Sequence, residues 1–363
     1  MTTGPTVAEM PTTTARTLAQ VYRRFGEVDA TGTLYERVAV ALSESDEALR
    51  AIEAAPARKR QPALIFAALH DLALAGRAPA LAAAYDVADG EAAAAAAIDT
   101  LLRSTGAVVA IAARRRTQSV DAARCAVLYP AIAEAARRTG ADAVGLTDVG
   151  HSPGLNLHVD CVGITYSDGQ TLGDPSSPVQ LSARVVGDRP VPARAMPEVV
   201  ARICADPDPV DLTDPDNARW LRACLPPDKP ERAAQLDAEL ALAATFPPLL
   251  LRGDPVELLP DAVARVPADV LPVVTTTWAL SRLPPERRRR LLHTLEEAAG
   301  GRAVAWVSAE GVGVAPSIPT FGDRRASGHS IIGLAVADGA GLRGEAIGRC
   351  WSRGRLLSWL THS

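Results

Sequence analysis

The sequence predicts an α/β protein: a mostly parallel sheet with an antiparallel edge pair, preceded by an all-helical N-terminal domain. Three observations carry that prediction. Apolar residues between Ala15 and Arg138 recur at helical spacing, as in Leu18, Val21, Tyr22 and Phe25, with no alternating run among them. From residue 139 onward, short apolar runs alternate with helical stretches, a pattern that calls for parallel strands joined by right-handed crossovers. The C-terminal segments I-I-G-L-A-V-A-D-G-A-G-L and A-I-G-R-C-W-S-R-G-R-L-L-S-W-L instead read as antiparallel strands joined by glycine turns.

Taken in order, residues 1–14 lack both a basic start and an apolar core, so they read as a disordered tail rather than a secretory signal. The helical domain, residues 15–138, is broken at Gly26, Gly32, Pro56, Pro62, Gly76 and Pro79, where glycine or proline separates successive amphipathic helices. Its alanine tract at 92–97 favours helix because alanine has the highest intrinsic propensity.

Residues 139–363 make the sheet domain. In Val144–Leu157, V-G-L-T-D-V-G-H-S-P-G-L-N-L, an apolar run ends at Asp148, a loop carries Gly150, Ser152 and Gly154, and an apolar segment resumes. That order predicts strand, tight loop, helix. A β-hairpin insertion is expected near 161–195, where V-G-I-T-Y and P-V-Q-L-S-A-R-V-V flank the turns S-D-G and Gly173-Asp174-Pro175. Further strands are expected at V-V-A-R-I-C-A-D, ending at Asp206, at L-L-L-R-G-D, ending at Asp254, at V-L-P-V-V-T-T-T and at A-V-A-W-V-S. Thr213 or Asp214 is placed to cap the helix containing Trp220. Pro284 and Pro285 open the helix after the fourth strand, since proline presets the first helical dihedral and gives up only an N–H that would go unpaired there.

Composition limits the function. With 48% hydrophobic residues in 363, the chain can build an ordinary soluble core. Its 38 basic and 42 acidic side chains leave a net charge of −4, so no broad basic field is available for a phosphate backbone and nucleic acid is not expected as a partner. Five cysteines are scattered without a C-x-x-C pair, which predicts reduced thiols and no metal. No apolar run reaches the roughly 20 residues that span a bilayer, so a cytoplasmic location and no membrane partner are expected. The oligomeric state stays open, a homodimer included.

The chemistry concentrates in the loop after Asp148. Glycines there let the backbone come close to a ligand, and a helix start would offer unpaired N–H groups. A carboxylate at the strand end can order the loop and sit near a ligand carrying positive charge, such as S-adenosylmethionine. The set D-V-G-H-S-P-G-L-N-L, G-D-P-S-S-P-V, D-P-V-D-L-T-D-P-D-N-A-R-W-L, R-G-D and L-P-P-E-R resembles an uncharacterised bacterial family, labelled only as domain of unknown function number twenty-three thirty-two. The resemblance covers most of the chain, and D-P-D-x-A-R-W-L is its most specific part.

The family's core in turn resembles the Rossmann-type S-adenosylmethionine-dependent methyltransferases, whose first motif is acid-x-Gly-x-Gly-x-Gly. Asp148, Gly150 and Gly154 match that motif, and Ser152 stands at the middle glycine. The resemblance implies a Rossmann-like sheet of strand order 3-2-1-4-5, S-adenosylmethionine as cofactor and methyl transfer to an unknown small molecule. It also implies that Asp206 holds the ribose hydroxyls and that Asp254 lies near adenine. His151, Asn156, Tyr129 and Arg124 are then the candidates to orient the acceptor, because an in-line displacement needs alignment and no covalent nucleophile.

Other classes stay in view. Gly150-His151-Ser152-Pro153-Gly154 fits G-x-S-x-G, the nucleophile elbow of α/β-hydrolases, with Asp254 and His329 following in the order of a triad. Against it, the residue after the serine is Pro153, which has no N–H to give an oxyanion. A dinucleotide oxidoreductase would need G-x-G-x-x-G, which G-H-S-P-G-L does not supply. A third class is a non-catalytic protein that binds the cofactor without using it. His151 also reads as a solvent-facing loop residue, Asn156 as a group satisfying the turn backbone and Trp278 as core packing.

Overall fold

A computed structural model describes residues 17–118, 121–150 and 153–361. The fold is mixed α/β, with helices and one large, mostly parallel sheet. Two compact units divide it: one runs up to Gln118 and takes in Arg219–Pro230, and the other comprises the rest.

The described residues of the first unit up to Gln118 contain helices and no strand: α1 (Leu18–Arg24), α2 (Leu34–Glu44), α3 (Asp46–Glu53), α4 (Pro62–Leu74), α5 (Pro79–Asp86), α6 (Gly90–Arg103) and α7 (Thr105–Arg114). Local chemistry sets their starts. Thr17 and Gln20 form a reciprocal capping box on α1, Ser45 accepts from Ala48 N–H at α3, and Asp89 accepts from Glu91 and Ala92 N–H at α6. Pro62 and Pro79 occupy first turns, where a missing N–H costs nothing. The core forms around Phe66, whose ring meets Tyr22, Phe25 and Tyr35 at centroid distances of 6.0, 5.5 and 4.9 Å. Trp220 is buried in the same core, and its indole N–H donates to the Arg116 carbonyl at 2.9 Å.

The second unit takes in α8 (Cys125–Thr139), so the helical periodicity up to Arg138 crosses the line between the units. Its apolar face, including Leu128 and Ile132, shares one core with sheet residues Leu146, Val273 and Val307. Pro130 inside α8 cannot donate to the carbonyl of Ala126, and the hydroxyl of Tyr166 donates to that carbonyl instead at 2.7 Å. Gly140, with φ of 69°, ends the helix in the left-handed conformation that closes many helices.

The strands that follow are β1 (Ala143–Val149), β2 (Gly163–Tyr166), β3 (Thr171–Gly173), β4 (Gln180–Val185), β5 (Glu198–Asp206), β6 (Leu249–Arg252), β7 (Leu271–Thr277), β8 (Val304–Gly311), β9 (Ser330–Asp338), β10 (Gly341–Trp351) and β11 (Leu356–Trp359). Helices α9 (Pro215–Ala223), α10 (Pro230–Thr245), α11 (Leu259–Ala264) and α12 (Pro285–Ala298) lie between the later strands in sequence. The sheet order is β3-β2-β4-β11-β10-β9-β8-β7-β1-β5-β6. Strands β6, β5, β1, β7 and β8 are parallel, and β7, between two parallel neighbours and buried at every residue, carries the β-branched V-V-T-T-T. Strands β9 and β10 are antiparallel, as expected from their glycine-punctuated runs.

Two expectations change. The apolar segment after the Gly150 loop is not an α-helix but 3₁₀ turns over Leu155–Cys161, broken at His158 (φ −103°). Side chains from Leu155 to Val159 are all buried, Asn156 and His158 included, and those two polar groups are met by Asp148, Thr277 and the Phe246 carbonyl. The segment 161–195 does hold a hairpin, β2–β3, but it adds β4, which pairs parallel to β2 and to β11 and so continues the main sheet rather than standing apart from it. No single helix among the described residues is long and apolar enough to cross a membrane.

Candidate functional site

The carboxyl ends of β1, β7 and β8 gather a buried polar cluster within the second unit. In the parallel register Asp148 of β1 lies beside Cys204 of β5 and Thr275 of β7. Its carboxylate is completely buried and accepts from Thr275 Oγ1 at 3.0 Å and from Asn156 Nδ2 at 3.1 Å. Burial pushes the carboxyl up to about 6, against the opposing pull of the Thr275 hydrogen bond, the Arg124 charge and the Asn156 hydrogen bond. The same Asn156 amide also donates to Thr277 Oγ1 at 3.1 Å, which ties the turn after the loop to the end of β7.

Arg124, on the 3₁₀ turn that precedes α8, completes the cluster. Its Nη1 donates to Thr277 Oγ1 at 3.0 Å, and its guanidinium lies 5.2 Å from the ring centroid of Trp278. Burial pushes the guanidinium down to about 10, with Asp148 acting in the opposite sense. Trp278 follows β7 directly at φ of 51°, a conformation that costs a bulky residue energy, and its indole N–H donates to Ser330 Oγ at 2.8 Å. The backbone after it is held by Glu310 at the end of β8, whose Oε1 accepts from Ala279 and Leu280 N–H at 3.0 and 3.1 Å. Glu310 is fully buried, its Oε2 has no hydrogen-bond partner among the described residues, and burial pushes it up to about 7 against those two N–H groups.

The sequence-derived candidates fall into three groups. Asp148, Asn156 and Arg124 share this cluster through Thr275 and Thr277. Gly150 and Asp206 lie next to it: Gly150 N–H donates to the Ala205 carbonyl at 2.9 Å, and Asp206, 4% exposed, ends β5 and accepts from Asp208 N–H at 2.8 Å. Gly150 (φ 73°) and Gly154 (φ 63°) both take the left-handed conformation that favours glycine.

Tyr129 and Asp254 are used elsewhere. The Tyr129 hydroxyl accepts from Met196 N–H at 3.1 Å within the α8 core, and Asp254 caps Val256 and Glu257 N–H and pairs with Arg287 at 2.5 Å. His151 and Ser152 lie outside the described residues. His329 is engaged by Asp323 at 2.8 Å.

Residues 19–359 match the bacterial family described as "Uncharacterized protein conserved in bacteria (DUF2332)". The chain belongs to this family. No curated protein and no solved structure matches it. Within this family member, the specific segment D-P-D-x-A-R-W-L has local structural duties. Asp214 caps the start of α9 through Asp216 N–H at 2.8 Å, and Arg219 pairs with Asp71 at 2.9 Å in the first unit. Thr275, Thr277 and Glu310 are residues of this cluster that sequence reading passed over. The run Thr275-Thr276-Thr277 at the end of an apolar strand was the available sign, because hydroxyls buried between two parallel neighbours need side-chain partners. Glu310 gave a similar sign, as an acid closing the buried run A-V-A-W-V-S-A-E.

Proposed function

We propose that the chain is an S-adenosylmethionine-dependent methyltransferase acting on a small molecule, with a Rossmann-like sheet. The strand order supports the reading. After β2, β3 and β4 have formed the far edge, the chain lays β5 and β6 on one side of β1 and then β7 and β8 on the other, and open α/β sheets bind ligands outside the carboxyl ends at such a reversal. The observation that carries the reading is that Asp148 and Asp206 end adjacent strands beside the left-handed Gly150 turn at this reversal.

The residues suit the group. A carboxylate at the end of β5 can accept from a ribose diol, and an acidic strand edge favours a sulfonium charge. A Cβ added to Gly150 would meet Ala279 Cβ at 3.1 Å, so the turn has room for backbone and little else. When bound, the cofactor supplies an activated methyl group on sulfur. Asp206 would hold its hydroxyls, while Asp148, through Asn156 and Thr275, fixes the loop above β1. Arg124 and Trp278 would orient the acceptor and exclude water from it. Asp254, committed to its cap and to Arg287, shapes the loop after β6.

Equilibrium dialysis with radiolabelled S-adenosylmethionine tests the reading, alongside treatment with a fluorophosphonate probe. Binding without labelling is expected. Labelling at Ser152 would favour a serine hydrolase, and absence of binding at millimolar ligand would remove the cofactor.

A further inference from the structure

Arg124 is 2% exposed, and so deeply buried a cation ordinarily has a carboxylate partner. Among the described residues its hydrogen bonds leave from Nη1, to Thr277 Oγ1 and to the Thr277 carbonyl at 3.3 Å, and Nε is buried without an acceptor. The acids that act on it at longer range have other work. Asp148 is held by Asn156 and Thr275, and Asp121 pairs with Arg355 at 2.8 Å. Two further cations, Arg353 and Arg282, are close enough for their charges to act against it.

A second, independent observation concerns the backbone that brings Arg353 there. Ser352, Arg353 and Gly354 have φ of 48°, 57° and 99°, three successive left-handed residues of which two carry side chains. A Cβ on Gly354 would lie 2.9 Å from the Ala123 carbonyl oxygen and 3.3 Å from Arg124 Cα, so this turn is pressed against the backbone of Arg124. Left-handed backbone costs an L-residue energy, and such strain concentrates where a ligand is held. A like charge brought by a strained turn to a buried guanidinium that has no carboxylate partner among the described residues calls for an anion.

We propose that Arg124, supported by Arg353 and Arg282, is the binding site for the carboxylate of a small-molecule ligand at the carboxyl edge of the sheet. The unused Nε side of the guanidinium, with Nη2 beside it, presents the planar fork that matches two carboxylate oxygens. A carboxylate fits better than a doubly charged phosphate, because Asp148, ionised above about pH 6, acts on Arg124 and would repel a dianion more strongly than a monoanion. The inference deepens the methyltransferase reading and rests on it for the two sources of the carboxylate: the methionyl end of the cofactor or the acceptor.

Three probes separate these sources: S-adenosylhomocysteine, which has the carboxylate; methylthioadenosine, which lacks it; and para-fluorobenzoate followed by fluorine NMR. Wild-type protein, Arg124→Met and Arg353→Gln are compared, the last at an exposed position. Arg124→Met is expected to lose about tenfold or more in affinity for a carboxylate probe, and Arg353→Gln about threefold, with methylthioadenosine unchanged in both. Loss confined to S-adenosylhomocysteine assigns the site to the cofactor, and loss confined to fluorobenzoate assigns it to the acceptor.

Carboxylate binding unchanged in both variants, or absent from the wild type, overturns the proposal. If Arg124→Met fails to fold, Arg353→Gln decides alone: a threefold weakening supports the site and an unchanged affinity overturns it. Arg124-dependent binding of fluorobenzoate with no binding of either nucleoside keeps the anion site and removes the methyltransferase reading.

Discussion

Replacing Asp148 with asparagine should remove a large part of the pH dependence of stability in the sheet unit. The folded carboxyl titrates near 6, against an ordinary value of 3.8. Between those values the unfolded chain has released a proton that the folded chain still holds, so raising the pH draws the equilibrium toward unfolding. Its stabilising contribution is complete below about pH 4 and is lost as the pH rises through 6. At about 1.4 kcal/mol per pH unit, the loss is about 3 kcal/mol. Asparagine keeps the shape and an acceptor for Asn156 but does not titrate.

The assay is urea unfolding followed by tryptophan fluorescence in a Trp220→Phe background. The remaining tryptophans, Trp278, Trp306, Trp351 and Trp359, all belong to the sheet unit. The wild type should lose stability steadily from pH 4 to pH 7, and Asp148→Asn should flatten the lower part of that slope. An unchanged slope would show that Asp148 is already ionised when folded, and the burial argument would fail.

Glu310→Gln should flatten the upper part of the same curve, up to about pH 7, because the folded acid holds its proton to that point while the unfolded one loses it near 4.5; an unaltered upper slope by the same fluorescence assay would refute this. Gly145→Ala should destabilise the sheet unit by about 1–3 kcal/mol, since the new Cβ would lie 2.5 Å from Val266 Cγ1. Pairing it with Val266→Ala should restore much of the loss in urea midpoint, and no rescue would mean that the backbone rather than this contact is at fault. Gly150→Val should abolish nucleoside binding in dialysis, because a β-branched residue at φ of 73° is a steric outlier that must rebuild the turn; retained affinity would separate the turn from the site.

The parallel strands were legible because their apolar runs were short, β-branched and regularly followed by helix-period segments. The antiparallel pair was legible because its glycines punctuated alternating runs. The turn after Gly150 was not, since Leu155, Leu157 and Val159 give an apolar spacing that a short buried helix and a pair of 3₁₀ turns share. The partner of α8 was equally hidden: periodicity states which face of a helix is buried and not what covers it. At the site, Asp148 was readable from its place at a strand end. Thr275, Thr277 and Glu310 gave a sign but not a partner, because their roles come from registers between strands far apart in sequence, such as Asp148 beside Thr275. Arg353 depends on a left-handed turn whose Ser-Arg sequence carries no glycine at the two strained positions ahead of Gly354.

The most direct test of the central claim is calorimetric titration of the full chain and of Asp206→Ala with S-adenosylhomocysteine. The account predicts saturable binding to the wild type and at least about tenfold weaker binding to the variant, the cost of losing hydrogen bonds to a charged group. No heat at millimolar ligand, or an affinity unchanged in Asp206→Ala, would contradict it.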